Sequence, residues 1–426
     1  MFKFNISTNT LDNGLKVLLL KNSNHPLVAF DILYNVGSAN DPQGKSGLAH
    51  LFEHMMFEGS QNVKKGEHFA VIEKTGGSCN AGTGYDDTSY YEKVPKQYLD
   101  TVLYLESDRM ANFIPALNSE TLENQIGVVK NERSQRYDNQ PYGLSEEKSL
   151  QILYKEGHPY SKPIIGTLDE IGKYSQQDVE EFFKLYYAPN NATIALVGDF
   201  NEKTIMKHID KYFGGIQSNP KIEEAKAGLE QRYAVENQKK SKQFLEYHDE
   251  VNLELIRLIW HTEKLSLRDS ILLSLLSSVL AGSKSSIFTK TLKNDMRIVQ
   301  DISCSISGRK YDNLFKITAK PKPGKNIEEI KGEILLQLNK FLSEGIDEKF
   351  LRGIKNYYMA FFIRGLEGSI NLAKHINSYE ANFGKANLFN EEYEGLDNAS
   401  ADEIMGWAKT ILDDSYCELR VLGRKK

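Results

Sequence analysis

Two histidines four residues apart, with a glutamate just before the second, stand in the stretch Gly47-Leu48-Ala49-His50-Leu51-Phe52-Glu53-His54-Met55-Met56-Phe57. On a helix, residues three and four apart share a face, so His50, Glu53 and His54 project together. Two neutral imidazoles one turn apart can hold a single Zn²⁺. A carboxylate beside them can take a proton from water, whose pKa the ion lowers to about 7. His-x-x-Glu-His is the reverse of the commoner zinc-protease order His-Glu-x-x-His. Leu48, Leu51, Phe52 and Met55 fall on the other side and predict a buried stripe. That fit to an amphipathic helix argues against the plainer reading, two histidines on a solvated face.

A catalytic zinc needs a third protein ligand and a position left open for water. The candidates lie on a helix predicted over residues 120–137, with Leu122, Ile126 and Val129 as its core stripe. Glu132 borders that stripe, whereas Glu120 and Glu123 lie nearer the helix start. Glu132 is therefore the best placed, though the pattern alone does not decide the choice.

The elements around these residues follow from hydropathy. Strands are predicted at 15–20 and 27–36, then a loop over 38–46, with Ser46 as N-cap of the histidine helix. Gly44-Lys45-Ser46 imitates the end of a phosphate-binding loop, but Ala39 stands where that motif requires its first glycine. A helix near 66–74, a strand from Ser78, a second to Pro95 and a helix over 96–111 come next. Residues 191–199 read as a strand and 202–213 as an amphipathic helix. Residues 217–240 are polar, carry Pro220 and few large apolar side chains, and read as a linker. The predicted domains are therefore 1–216 and 241–426.

The second half repeats the first. Tyr85 and Tyr311 are 226 residues apart, as are Pro95 and Pro321, and each pair brackets a similar strand. The strands ending at Gly198 and Gly423, and those at 27–35 and 253–261, keep nearly the same offset. A duplicated α/β domain accounts for this. Its second copy has a helix at 267–281 with no His or Glu cluster, so only the first copy carries the chemistry.

Composition narrows the partners. A net charge of −5 over 426 residues does not suit a nucleic acid or an anionic membrane surface. No apolar run is long enough to span a bilayer. Cys79, Cys304 and Cys417 form no metal or redox pair and fit a reducing compartment. A cytoplasmic location is expected, or export with the signal already removed. Cys79 and His158 read as structural, as do the histidines without ligand-like spacing, His68 among them.

Four stretches stand out together: the histidine stretch through Gly59, Val128-Val129-Lys130-Asn131-Glu132-Arg133, Gly76-Gly77-Ser78-Cys79-Asn80-Ala81 and Tyr186-Tyr187-Ala188-Pro189-Asn190-Asn191-Ala192. The resemblance they carry is to the M16 metallopeptidases, the pitrilysin and insulinase group, and most of all to the short members related to mitochondrial processing peptidase. It implies an α+β fold of two tandem homologous domains, each a largely antiparallel mixed sheet with helices packed on it, forming half of a clamshell. It implies a zinc endopeptidase acting on peptides or unfolded segments, with His50, His54 and Glu132 as ligands and Glu53 as general base. Asn80 and Ala81 would lie on a strand that pairs with substrate backbone. A homodimer, or a heterodimer with a related subunit, would complete the chamber. Two positions depart from the family. Gln125 stands where many members place a glutamate that supports the third ligand. Ile287 and Gln300 stand where peptidase members carry a substrate-gripping Arg and Tyr, which raises the alternative that a partner supplies that pair. A non-catalytic scaffold subunit of the same fold is the remaining alternative, and the intact His50/Glu53/His54 set argues against it.

Overall fold

The computed structural model describes residues 2–233 and 239–424. Strands β1 (Ile6–Thr10), β2 (Lys16–Lys21), β3 (Leu27–Tyr34), β4 (Ser78–Thr83), β5 (Thr88–Pro95) and β6 (Ala192–Gly198) make one sheet. Strands β7 (Phe244–His248), β8 (Leu255–Thr262), β9 (Val299–Ile306), β10 (Asn313–Pro321) and β11 (Cys417–Leu422) make another. The helices that matter here are α1 (Leu48–Met55), α2 (Glu67–Lys74), α3 (Leu99–Asn112), α4 (Ser119–Arg133), α5 (Ser145–Leu153), α6 (Gln176–Tyr186), α7 (Glu202–Phe213), α8 (Ile222–Tyr233), α9 (Leu267–Ala281), α10 (Ile327–Glu344), α11 (Glu348–Gly365) and α12 (Ser369–Phe383).

The first sheet runs β1-β2-β6-β3-β5-β4 and the second β7-β11-β8-β10-β9. Apart from β1, the orders are the same strand for strand. So are the directions: β2 with β6 and β7 with β11 are the parallel pairs, and the other pairings are antiparallel. The duplication expected from the Tyr85/Tyr311 and Pro95/Pro321 offsets is thus present as topology. The fold is mixed α+β.

The central strands are buried on both faces, which explains their unbroken apolar runs. Along β2, Val17 and Leu19 face the core shared with α1, α3 and α6, while Leu18 and Leu20 face the other way. That second face is covered by α12, which belongs to the second repeat and packs on β3 and β6. The exchange is reciprocal: α5, from the first repeat, packs on β11 of the second sheet. There Leu150 and Leu153 meet Leu255, Leu314 and Leu419. Each repeat lends one helix to the other's sheet, so neither sheet's core is complete without both halves.

Part of the segment read as a linker, 217–240, is helical. Residues 222–233 form α8, with Ile222 buried and Glu223 paired to Lys226 at 2.9 Å. Ala, Glu, Lys and Leu favour helix strongly even without a broad apolar stripe, and that propensity decides here. Residues 234–238 of the same segment lie outside the described residues. Among the described residues, no helix is long and apolar enough to cross a membrane.

Candidate metal centre

Helix α1 buries Leu48, Leu51, Phe52 and Met55 and leaves His50, Glu53 and His54 half-buried on its other side. Its entry is tightly built. Gly47, not Ser46, is the N-cap, in the left-handed region at φ +87°. A Cβ at Gly47 would stand 2.4 Å from the Ile165 carbonyl oxygen, so no other residue fits without a shift. The first amides of the helix are met from six and eight residues back: Gly47 N–H and Ala49 N–H donate to Asp41 at 2.7 and 2.8 Å. Burial pushes the Asp41 carboxyl up to about 8, against the pull of those donors.

The second contributor is α4, capped by Asn118, whose Oδ1 accepts from Thr121 N–H at 2.9 Å. Leu122 and Val129 are buried, and Ile126 packs half-buried against the same core. The helix ends sooner than its sequence suggests. Residues Ser134–Asp138 widen into a π-turn that starts two positions past Glu132. Such turns are often found at functional sites.

The two helices bring His50, His54 and Glu132 together, with one donor atom from each lying within 4.8 Å of the others. His54 Nε2 is 3.3 Å and His50 Nε2 3.8 Å from Glu132 Oε2. Donors bound tetrahedrally to one zinc at about 2.0–2.1 Å lie roughly 3.3 Å apart, so the spacing suits that ion. The donor set, two imidazoles and a carboxylate, suits it too. Arg136 Nη1 holds Glu132 Oε1 at 2.7 Å and leaves Oε2 to the histidines. Burial and the neighbouring His54 push His50 down to about 4. The hydrogen bond from His54 holds Glu132 below the usual carboxylate range. His50 is therefore a neutral imidazole and Glu132 a carboxylate at neutral pH, the forms a metal needs. His50 Nδ1 is buried without a hydrogen-bond partner among the described residues. Glu120 and Glu123, the other sequence candidates, are exposed.

Glu53 stands beside this cluster. Thr83 Oγ1 donates to its Oε2 at 2.5 Å. Burial raises the Glu53 pKa above the ordinary value, with the Thr83 bond opposing. A carboxylate made more basic by its surroundings is suited to taking up a proton.

Thr83 closes β4, which is the edge of the first sheet. β4 pairs with β5 on one side, Asn80 opposite Tyr91 and Ala81 opposite Tyr90. Its other edge has no strand against it among the described residues. Asn80 is exposed there, and its Oδ1 accepts the Ala81 N–H at 2.8 Å. An added extended chain would find its place along this edge.

Gln125, on the same helix as Glu132, makes no hydrogen bond to it among the described residues. Seven residues are two helical turns, about 10 Å along the axis. The Gln125 amide instead donates to Glu58 Oε1 at 2.8 Å. Ile287 packs half-buried on the second core, and Gln300 is exposed on β9, the edge of the second sheet.

One cluster escaped sequence reasoning. His68 on α2, Glu92 on β5, and Glu106 and Arg109 on α3 are all buried. His68, Glu92 and Glu106 also bring donors together within 4.8 Å. Arg109 already occupies that centre: its Nη2 is 2.5 Å from Glu106 Oε1, and its guanidinium carbon stacks 4.2 Å over the Tyr90 ring. A buried Arg–Glu set of this kind is an ion cluster that balances its own charge, although Arg109 Nη1 and Glu92 Oε2 are buried without a hydrogen-bond partner among the described residues. Its four residues come from three elements, so spacing gives no sign of it. His158 is likewise structural, its Nδ1 accepting Tyr160 N–H at 3.0 Å.

Comparison with known proteins bears on the chain as a whole. The family model described as "Insulinase (Peptidase family M16)" matches residues 16–168, and that described as "Peptidase M16 inactive domain" matches 173–358. The zinc protease PqqE of Helicobacter pylori is 30% identical over 366 residues, covering 85% of this chain and 81% of that protein. The beta subunit of mitochondrial processing peptidase from Caenorhabditis elegans is 26% identical over 211 residues, 49% of this chain and 44% of the subunit. The crystal structure of a protease from Helicobacter pylori superposes with a TM-score of 0.88 at 26% identity, covering 99% of this chain and 100% of that one.

Proposed function

Because the chain belongs to the M16 peptidase family, we propose that it is a zinc-dependent endopeptidase whose ion is held by His50, His54 and Glu132. The observation that carries this reading is the convergence of His50 Nε2, His54 Nε2 and Glu132 Oε2 beside the carboxylate of Glu53. Bound there, zinc would supply Lewis acidity toward a peptide carbonyl and acidify a water. Glu53 would take the proton of that water as the carbonyl is attacked and return it to the leaving nitrogen. Thr83 orients Glu53 through its hydrogen bond, and the open edge of β4 at Asn80 and Ala81 would hold the substrate backbone extended. Arg136 keeps Glu132 turned toward the histidines. The Glu53→Gln variant tests this directly: zinc content should stay at the wild-type level while cleavage falls by at least about a thousandfold. Wild-type cleavage by that variant would remove Glu53 from its role.

A second reading is favoured by one specific observation. Ile287 and Gln300 bring neither a cation nor a phenol to the second repeat. A related subunit carrying an Arg and a Tyr would then complete the site, and this chain would be the metal-bearing half of a heterodimer. Size-exclusion chromatography of the chain alone separates the two readings: a homodimer that cleaves peptides requires no such subunit.

A further inference from the structure

The tyrosine–aspartate pairs that mark the internal repeat, Tyr85-Asp86 and Tyr311-Asp312, are left unused by the proposed chemistry. The structure brings their two turns together across the boundary between the repeats. Residues 84–87 form the turn from β4 to β5, and residues 307–312 the corresponding turn from β9 to β10. Asp86 accepts the Lys310 N–H at 3.0 Å and the Tyr160 hydroxyl at 2.7 Å. Asp312, its counterpart, accepts the Tyr154 hydroxyl from the first repeat. Arg309, with only 6% of its side chain exposed, lays its guanidinium carbon 4.2 Å over the Tyr85 ring and 5.0 Å over that of Tyr160. The loop leading into α1 holds the same turn: Ser38 N–H donates to Gly84 O at 3.1 Å and Ala39 N–H to Tyr85 O at 2.9 Å. The gripped turn begins one residue after Thr83, whose hydroxyl sets the Glu53 carboxylate.

We infer that the Arg309 and Lys310 turn of the second repeat fixes the Tyr85-Asp86 turn, and through Thr83 fixes Glu53, in the position that cleavage requires. The inference rests on the peptidase reading above. It gives the repeat that lacks metal ligands a task in the chemistry of its own chain. Arg309 and Asp86 are positioning residues: they act through Thr83 and touch neither metal nor substrate. A backbone turn held by a stacked cation and by two hydrogen bonds from backbone amides has little room to drift. Small misplacements of a catalytic group are expensive, about a hundredfold for 1 Å.

The test is a double-mutant cycle on the full chain. Arg309→Met and Thr83→Val are made singly and together, with Glu53→Gln as control. Where cleavage needs a partner subunit, the partner is included. Each single variant should lower kcat about tenfold with KM and zinc content unchanged, and the double variant should be no slower than Thr83→Val alone. Hydrogen exchange gives a readout that needs no activity. Arg309→Met should speed exchange at the amides of Ser38, Ala39 and Gly84 by at least tenfold and leave those of α4 unchanged. Should Arg309→Met not fold, Asp86→Asn replaces it in the same cycle with the same expectations. Multiplying effects on kcat, or unchanged exchange at the turn, would overturn the inference. An active Glu53→Gln variant would instead overturn the peptidase reading beneath it, so the two failures are distinguishable.

Discussion

Asp31 offers a sharp test of how the two repeats are joined. It lies on β3, 1% exposed, where α12 crosses the first sheet. Asn377 of α12 donates from Nδ2 to Asp31 Oδ2 at 2.6 Å and to the Asp31 carbonyl at 2.9 Å. Burial pushes the carboxyl up from 3.8 to about 7, outweighing the opposing hydrogen bond from Asn377 and the charge of Lys374. The folded state therefore holds this proton more tightly than the unfolded chain does. Stability from that source is full below pH 3.8 and is lost as pH rises toward about 7, at about 1.4 kcal/mol per unit. Between pH 5 and pH 8 the wild type should lose about 2.5 kcal/mol through Asp31. The Asp31→Asn variant keeps a carbonyl to accept from Asn377 and has nothing to ionise. Urea unfolding of both proteins at pH 5 and pH 8 reads the difference. The variant should gain about 2.5 kcal/mol on the wild type over that interval. A gap between the two proteins that does not change with pH would refute the argument. It would mean that Asp31 is solvated in the folded chain and that the seam between α12 and the first sheet is loose.

Other outcomes follow from single contacts. Arg109→Leu leaves Glu92 and Glu106 buried without their counter-charge, and denaturant titration should show a loss of about 3–5 kcal/mol. Gly47→Ala forces a Cβ toward the Ile165 carbonyl at a left-handed position, which should cost about 1–3 kcal/mol and lower zinc affinity in a chelator competition. Burial, with Glu92 adding to it, pushes the Cys79 thiol up to about 12. Iodoacetamide at pH 8 should therefore label Cys79 at least about tenfold more slowly than a free thiol, as mass spectrometry of the modified peptide would show.

What could be read in the sequence was local or repeated. The α1 stripe and the trio His50, Glu53 and His54 follow from one helical period, and α7 and α9 have the bounds their patterns predict. The duplication was legible because Tyr85/Tyr311 and Pro95/Pro321 keep one offset. Pattern only weakly favoured Glu132 over Glu120 and Glu123, since all three lie on one charged helix. The approach of α4 to α1 brings Glu132 to the histidines. Asp41 as the partner of the first α1 amides was hidden because it lies six residues before Gly47, outside the local cap position that the sequence pattern assigned to Ser46. The ion cluster at Arg109 was hidden because charged residues inside a helix normally read as a solvated face. The loan of α5 and α12 between the sheets was not visible either: both helices are amphipathic, and an apolar stripe does not say whose sheet it will cover.

Whether His50, His54 and Glu132 together hold a catalytic zinc is decided by metal content, measured by mass spectrometry on the purified wild-type chain and on the Glu132→Gln variant, alongside cleavage of a quenched peptide library with and without a chelator. Close to one zinc per wild-type chain, cleavage abolished by chelation and restored by zinc, and a marked loss of zinc in Glu132→Gln are expected. Equal zinc in both proteins, or cleavage that chelation leaves untouched, would contradict the assignment.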